Sequence, residues 1–222
     1  MARIKTKTAY LCSACGDDFP KWNGQCPSCK EWGTLSEFKI SAKKNGRDHK
    51  PRETKSFKEV LIADSSERIP TGLLEADRVL GGGLLSGSLI LLGGSPGVGK
   101  STLALHICSG INRKALYISA EESEEQVALR ARRLNIKPDQ LFLSGENELD
   151  GIISHIDRIQ PDLVIVDSIQ TVMNSGLDSL PGSPSQIRDC GQRLLEVSKQ
   201  KNVTILIVGH VTKDGTIAGP KM

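Results

Sequence analysis

Residues 89–208 show a repeated change in the pattern of apolar and polar positions. Short apolar runs, typical of strands, lie at residues 89–92, 115–119, 141–143, 162–167 and 203–208. Longer amphipathic stretches, typical of helices, lie at residues 123–134, 149–159 and 186–200, and another helix begins near Ser101. Strands and helices that alternate in this way predict an α/β fold, with a mostly parallel sheet, right-handed crossovers and flanking helices. Ligands of such a sheet collect at the carboxyl ends of its strands.

The same pattern predicts which side chains face the core. The run at 89–92 is continuously apolar, which predicts a strand buried on both faces. The helix at 123–134 has one apolar side, formed by Val127, Ala131 and Leu134. The helix at 186–200 has another, formed by Ile187, Cys190, Leu194 and Leu195. Cys108 also lies on an apolar helix face, so Cys108 and Cys190 are predicted to be core residues.

A glycine-rich segment lies between the first strand and the first helix of this series. Its spacing from Gly94 to Ser101 is glycine, four residues, glycine, lysine and serine, which is the spacing of a P-loop. Glycines let backbone N–H groups converge on phosphate oxygens, and Lys100 would bind the β- and γ-phosphates of ATP. The Ser101 hydroxyl would ligate Mg²⁺. The predicted ATP-binding residues are Gly94, Ser95, Pro96, Gly97, Val98, Gly99, Lys100, Ser101 and Thr102.

Two other strands end in carboxylates that suit ATP hydrolysis. Asp167 ends an apolar strand, as a Walker B residue does, and is predicted to hold Mg²⁺ through water. Ser168 follows it, so no glutamate stands there to serve as the base. Glu121 lies just after the strand at 115–119, at the same edge of the sheet, and is predicted to be the catalytic base. Glu122 is predicted to be a helper or to cap the next helix.

His210 follows the last strand and is predicted to sense the γ-phosphate. It lies at the active edge of the sheet, which favours this role over that of an ordinary surface histidine. Lys213 lies in the loop that follows and could contact DNA or a neighbouring nucleotide.

Four cysteines near the start of the chain form two Cys-x-x-Cys pairs. Cys12, Cys15, Cys26 and Cys29 have the spacing of a ribbon-type Zn²⁺ site. Two disulfides or a redox pair are the alternatives, and the doubled motif favours zinc. Four protein ligands leave no open position, so the zinc is predicted to be structural. Trp22 and Trp32 beside it are predicted to supply the small apolar core, with base stacking as the alternative.

Charge and composition separate the first quarter of the chain from the remainder. Residues 1–56 carry 12 Lys and Arg against 6 Asp and Glu, whereas residues 57–222 carry 17 against 20. The basic part indicates an anionic partner or a solubilising tail. Residues 43–55 contain no apolar side chain and predict a flexible basic linker. Met1 to Thr8 is polar, and no run approaches the ~20 apolar residues that span a bilayer. A cytoplasmic protein with reduced cysteines and no membrane partner is therefore expected.

Taken together, these motifs resemble the RadA (Sms) family of bacterial DNA repair proteins, within the RecA-like ATPases. A base on a different strand from Walker B is the RecA-like arrangement. The matching stretches follow the family's order at residues 12–29, 68–72, 80–84, 93–102, 117–123, 167–171, 181–183, 209–215 and 217–220. The resemblance implies a DNA-dependent ATPase that processes recombination intermediates by branch migration. It also implies single-stranded and branched DNA as ligands, a hexameric ring and association with a RecA-type recombinase.

The motifs and the composition predict how the chain is divided. Residues 1–38 are predicted to be a four-cysteine zinc ribbon, 39–56 a basic flexible linker and 57–222 a RecA-like P-loop ATPase domain. The family continues past this point with a Lys-Asn-Arg-Phe-Gly motif and a domain resembling Lon protease, so the chain is expected to be truncated. Nucleotide binding is then expected to survive better than hydrolysis. The alternatives are a zinc-ribbon module that binds nucleotide and DNA without efficient turnover, and an ATPase that acts on a protein partner.

Overall fold

The computed structural model describes residues 7–40, 54, 56–59, 68–136, 140–177, 179 and 181–210. The chain divides into two compact units, residues 1–66 and 67–222. The predicted linker lies almost wholly outside the described residues, as does Lys213. No helix in the described ranges is long and apolar enough to span a bilayer.

The first unit contains a small antiparallel sheet of β1 (Lys7–Cys12), β2 (Asp18–Phe19) and β3 (Leu35–Ile40). In the described residues the strand order is β2-β1-β3, and Cys12 pairs with Leu35. Among residues 9–37 the buried residues are Ala9, Cys12, Gly16, Cys26 and Leu35. Because a core this small buries little apolar area, the four cysteines contribute much of what holds the unit together. β3 runs to Ile40, past the predicted end of the ribbon at residue 38.

The second unit opens with a short hairpin and a helix that support the P-loop strand. β4 (Arg68–Ile69) pairs antiparallel with β5 (Leu84–Leu85), and α1 (Leu74–Val79) lies between them in the chain. Nη1 of Arg68 donates to the carbonyl oxygens of Leu80 and Gly83, at 2.7 and 3.0 Å. These bonds fix the glycine-rich turn that leads into the next strand.

The main sheet of the second unit is parallel throughout its described strands. They are β6 (Leu89–Gly94), β7 (Ala115–Ser119), β8 (Leu141–Ser144), β9 (Leu163–Asp167) and β10 (Thr204–His210). Their order is β6-β10-β9-β7-β8. The predicted α/β class, with a parallel sheet, flanking helices and a ribbon before it, is confirmed. The β-branched and leucine side chains of β9 and β10 are buried on both faces, which suits the middle of such a sheet.

Four longer helices flank the sheet where the amphipathic pattern predicts them. They are α2 (Lys100–Gly110), α3 (Glu124–Arg133), α4 (Leu149–Ile159) and α5 (Pro184–Lys201). Ser123 caps α3 through a reciprocal pair of bonds with Gln126, so the prediction that Glu122 caps this helix is wrong. Ser183 caps α5, and Pro184 begins it with its φ already helical.

Two apolar clusters of buried side chains form the core of this unit. One includes Leu105, Cys108, Tyr117 and Val127, and the other includes Ile152, Cys190 and Leu194. The predicted burial of Cys108 and Cys190 is confirmed, and Leu195 is half-buried. Burial raises the pKa of each of these two thiols to about 12, so both are un-ionised at neutral pH.

The expectation that the strand at 89–92 is buried on both faces is wrong. β6 has β10 on one side and lies at the edge of the described sheet, and the Leu91 side chain is 50% exposed. Strand order depends on contacts far apart in sequence, so a local apolar run does not reveal an edge position.

Gly110, the last residue of α2, lies where the helix backbone meets Thr71 and Gly72. A Cβ at Gly110 would stand 1.8 Å from the carbonyl oxygen of Thr71, a backbone atom that cannot turn aside. Gly110→Ala is therefore expected to lower the free energy of unfolding of this unit by about 3 kcal/mol or more. Denaturant unfolding measures the change.

Gly191→Ala is the matched control, since Gly191 lies within α5 and nothing stands within 4 Å of an added Cβ. This variant is expected to raise the free energy of unfolding by about 0.5–1 kcal/mol, because alanine loses less backbone entropy in a helix. Equal stability of the two variants would contradict this account of Gly110.

Candidate nucleotide site and zinc centre

The register of the parallel sheet brings the predicted ATPase residues to one edge. Leu92, Val208, Asp167 and Ser119 pair in a continuous row across β6, β10, β9 and β7. Residues just beyond this row all emerge at the carboxyl ends of the strands, where parallel sheets bind ligands. The P-loop, His210, Ser168 and Glu121 are those residues.

The P-loop is shaped by two glycines with left-handed backbone conformations. Gly97 has φ +80° and Gly99 has φ +92°, and nothing lies within 4 Å of a Cβ built on either one. Gly99 is also the N-cap of α2, and no side chain caps that helix end. The backbone N–H groups at the start of α2 are thus left facing an open space, which suits phosphate oxygens.

Lys100 lies in the first turn of α2 and is 7% exposed. Its Nζ donates to the carbonyl oxygens of Gly94 and Ser95, each at 2.9 Å. Within the described residues no carboxylate forms an ion pair with it. A buried ammonium group without a carboxylate partner calls for an anion, so the residues present fit the phosphates of ATP.

His210 lies between Lys100 and Glu121. Nδ1 of His210 is 3.3 Å from Nζ of Lys100, and its Nε2 is 3.9 Å from Oε1 of Glu121. An ammonium group can only donate, so Nδ1 is the acceptor and the proton of the neutral imidazole is on Nε2. The imidazole N–H is thereby directed toward Glu121.

Glu121 also accepts a hydrogen bond from the Ser168 hydroxyl at 2.5 Å. Its side chain is 46% exposed, whereas Ser168 is buried. A buried donor therefore orients a carboxylate that solvent can still reach. Glu122, by contrast, forms an ion pair with Arg130. Its carboxylate is thus engaged away from Lys100, His210 and Ser168, and the helper role predicted for it has no support here.

Asp167 ends β9 and accepts a hydrogen bond from the hydroxyl of Tyr117 on β7. Burial, and then the charge of Asp167, raise the pKa of Tyr117 well above its ordinary value, so the phenol remains a donor. Ser101 is half-buried in the first turn of α2, at the same edge. A carboxylate and a hydroxyl are hard oxygen ligands of the kind that Mg²⁺ takes, so this donor set fits the predicted magnesium.

Neither Tyr117 nor Ser168 has a functional role predicted from the sequence. Tyr117 is the one phenol in an otherwise aliphatic strand, and Ser168 directly follows the Walker B position. A buried hydroxyl group needs a hydrogen-bond partner. A hydroxyl side chain in or next to a buried strand was therefore the sequence feature that could have indicated a role. Their partners, Asp167 and Glu121, could be found only from the pairing of β7 with β9.

The four cysteines of the first unit converge on a single point. Sγ of Cys12 is 3.6 Å from Sγ of Cys29, and the same distance separates Cys15 from Cys26. All four ligand atoms lie within 4.8 Å of one another. Four sulfurs at about 2.3 Å from a tetrahedral Zn²⁺ are about 3.8 Å apart, so this set fits zinc and excludes disulfides.

The two knuckles of this centre have the same backbone hydrogen bonds. Gly16 N–H donates to Cys12 C=O at 2.8 Å, and Lys30 N–H donates to Cys26 C=O at 2.9 Å. Burial opposes ionisation of Cys12, but its hydrogen bond with the Thr34 hydroxyl and those from two backbone N–H groups outweigh burial and lower its pKa to about 6. Burial raises the pKa of Cys15 to about 12. The protein alone thus favours the thiolate of Cys12, whereas a bound cation would be needed to favour that of Cys15.

Known protein families match both the unit that carries the P-loop and the unit that carries the four cysteines. The family described as "AAA domain" matches residues 52–216, and the one described as "Rubredoxin metal binding domain" matches residues 10–37. The protein named DNA repair protein RadA from Listeria monocytogenes is 44% identical over 100% of this chain, and that from Bacillus subtilis is 45% identical over 98%. The chain belongs to the AAA domain family and is a homologue of DNA repair protein RadA. It spans about half the length of these relatives, 50% of each.

A solved structure also shares the fold. The crystal structure of the KaiC-like protein PH0186 from Pyrococcus horikoshii OT3 matches with a TM-score of 0.56, over 66% of this chain and 73% of that one. At 16% identity the likeness concerns the fold alone. Any functional inference from these comparisons therefore rests on the similarity to the RadA proteins.

Proposed function

We propose that this protein is a DNA-dependent ATP hydrolase that processes recombination intermediates by branch migration during DNA repair. The observation that carries the proposal is the convergence of Lys100, His210, Glu121 and Asp167 at one edge of the sheet. A binding module would need the P-loop alone. An oriented, accessible carboxylate beside the predicted γ-phosphate position is what hydrolysis requires in addition.

Each residue of the site then has a distinct part in the proposed reaction. Lys100 and the P-loop N–H groups hold the phosphates, and Glu121 orients the attacking water and accepts its proton. His210 contacts Lys100 and faces Glu121. It therefore links the lysine that binds the phosphates to the carboxylate that acts as the base. Mg²⁺, held through Ser101 and Asp167, supplies charge neutralisation when bound.

Tyr117 and Ser168 position these carboxylates without touching the nucleotide. The Tyr117 hydroxyl fixes one oxygen of Asp167, and the Ser168 hydroxyl fixes Oε1 of Glu121. Both donors are buried, so their own positions are set by the core. Their role is to hold the carboxylates in a single orientation before ATP arrives.

The proposed partners are single-stranded and branched DNA, a RecA-type recombinase and further copies of this chain in a hexameric ring. The excess of Lys and Arg in residues 1–56 supports an anionic ligand, and the names of the relatives support DNA repair. In this proposal residues 1–38 are the zinc ribbon, 39–56 the basic tether and 57–222 the ATPase domain.

A synthetic three-strand branched DNA tests the proposed reaction. The labelled strand is expected to be displaced faster when this protein and ATP are present together than with the protein alone or with a non-hydrolysable ATP analogue. Displacement that is equally fast with the analogue would show that binding suffices. Turnover of ATP that responds to no DNA, single-stranded or branched, would contradict the proposal as a whole.

A further inference from the structure

The two tryptophans of the first unit are exposed, contrary to the prediction that they form its core. Trp22 is 60% exposed and Trp32 is 73% exposed. The apolar interior of this unit is built instead around Leu35 and the cysteines, with Tyr10 and Phe19 packed against them. Neither indole is part of the apolar core, so both indole rings are accessible to a ligand.

The second knuckle brings the two indoles to the same place. Gly33 N–H donates to Gly24 C=O at 2.9 Å and closes the hairpin that carries both tryptophans. At Gly24, an added Cβ would be 3.6 Å from the Trp32 ring and 3.8 Å from the Trp22 ring. The two rings therefore both lie beside Gly24, which has no side chain. We call Trp22 and Trp32 at Gly24 the tryptophan pair.

The surface around the tryptophan pair is polar. Lys21, Asn23, Gln25 and Lys30 are exposed beside it. Among residues 9–37, the part of this unit up to residue 40 whose burial is described, the exposed large apolar side chains are these two indoles. Isolated flat aromatic faces suit planar ligands that are themselves polar at the edge, such as nucleobases.

Charge points to the same class of ligand. Residues 39–56 directly follow the ribbon and carry seven Lys and Arg against two Asp and Glu. Residues 7–38 are nearly balanced, with three Lys against four Asp and Glu. Attraction for the phosphates of a nucleic acid is therefore expected from residues 39–56. The tryptophan pair would add contact with the bases of that nucleic acid.

We infer that the tryptophan pair is a stacking site for unpaired bases of single-stranded DNA. The inference rests on the proposed function, because it takes DNA as the ligand, and it extends that function to a named surface of the zinc ribbon. Stacking of this kind does not distinguish among the four bases, because each has a π-face. It does require that the base be unpaired.

Intrinsic fluorescence tests the inference directly, because Trp22 and Trp32 are the only tryptophans of the chain. Tryptophan emission of the zinc-loaded protein is expected to be quenched in a saturable way by oligo(dT). An abasic oligonucleotide of the same length, which has phosphates but no bases, is expected to leave the emission unchanged. A duplex of the same length is expected to quench it little.

Variants separate stacking from a structural role. Trp22→Ala and Trp32→Ala are each expected to weaken oligo(dT) binding roughly 5- to 100-fold, measured by anisotropy of a labelled strand, with binding of the abasic strand unchanged. Trp22→Phe and Trp32→Phe are expected to restore most of the affinity. Leu74→Ala, at an 82% exposed apolar side chain of α1, is the control and is expected to have no effect. Zinc content verifies that each ribbon is folded.

The outcomes distinguish this inference from the proposed function. If labelled oligo(dT) binds but the emission stays constant and both alanine variants bind normally, the inference is overturned and the proposed function stands. Absence of any DNA binding overturns both. Equal quenching by abasic and ordinary strands, or a spectral change with a purified RecA-type recombinase and none with DNA, also overturns base stacking at this pair.

Discussion

Glu121→Gln is expected to reduce the turnover of ATP by roughly 10²- to 10⁴-fold, the range contributed by a positioned general base. Glutamine is isosteric with glutamate, and its amide oxygen still accepts the hydrogen bond from Ser168. The amide cannot accept the proton of the attacking water. Nucleotide affinity is expected to change little, because the contacts of Lys100 to Gly94 and Ser95 remain. Steady-state phosphate release and equilibrium binding of a fluorescent ATP analogue measure the two quantities.

Glu122→Gln is the matched control for this variant. Glu122 is the adjacent carboxylate, but it forms an ion pair with Arg130 on α3. Turnover is expected to stay within about threefold of the unaltered protein, since Glu122 is paired with Arg130 and forms no hydrogen bond or ion pair with Lys100, His210 or Ser168 among the described residues. A loss of the same size in both variants, or undiminished turnover by Glu121→Gln, would refute the assignment of the base.

Cys26→Ser is expected to unfold the zinc ribbon while the second unit stays folded. Cys26 is 1% exposed and is one of the four ligands, and the interior of this unit is otherwise small. Structural Zn²⁺ contributes about 10–16 kcal/mol to the folding of small zinc domains, far more than so small an apolar core can supply. Zinc content is expected to fall from one ion per chain to none. Amide NMR signals of the ribbon are expected to collapse to random-coil positions.

Cys190→Ala is the control for this experiment, because Cys190 is a buried thiol of the other unit and lies outside the four-cysteine set. It is expected to cost some stability of the second unit and to keep one zinc per chain. A chelator is expected to reproduce the effect of Cys26→Ser on the unaltered protein. Persistence of dispersed ribbon signals after the metal has been removed would contradict a structural role for zinc.

Local patterns predicted the elements of this fold closely because each element carries its own signal. The five predicted strands and the helices at 123–134, 149–159 and 186–200 agree with the structure to within a few residues. Spacing also located the P-loop and the four cysteines, since phosphate and zinc sites place strict demands on neighbouring residues. Features that depend on residues close together in sequence were thus the most predictable.

Contacts between distant parts of the chain account for the failures. The edge position of β6, and with it the exposure of Leu91, depends on which strands pair. The bonds of Tyr117 to Asp167 and of Ser168 to Glu121 depend on the register of β7 against β9. Trp22 and Trp32 were expected to be buried because they are large and apolar. The core of the ribbon is formed instead by the cysteines and Leu35, with Tyr10 and Phe19 packed against them. Hydrophobicity alone cannot tell a core residue from a binding residue.

ATP hydrolysis by this chain, with and without single-stranded DNA and beside its Lys100→Ala variant, tests the central claim most directly. Lys100 is the buried cation that the site offers to the phosphates, and alanine removes it. Turnover of ATP is expected to increase with single-stranded DNA and to be abolished by Lys100→Ala. Equal turnover by the two proteins, or tight binding of nucleotide by the unaltered chain without any turnover, would contradict this claim.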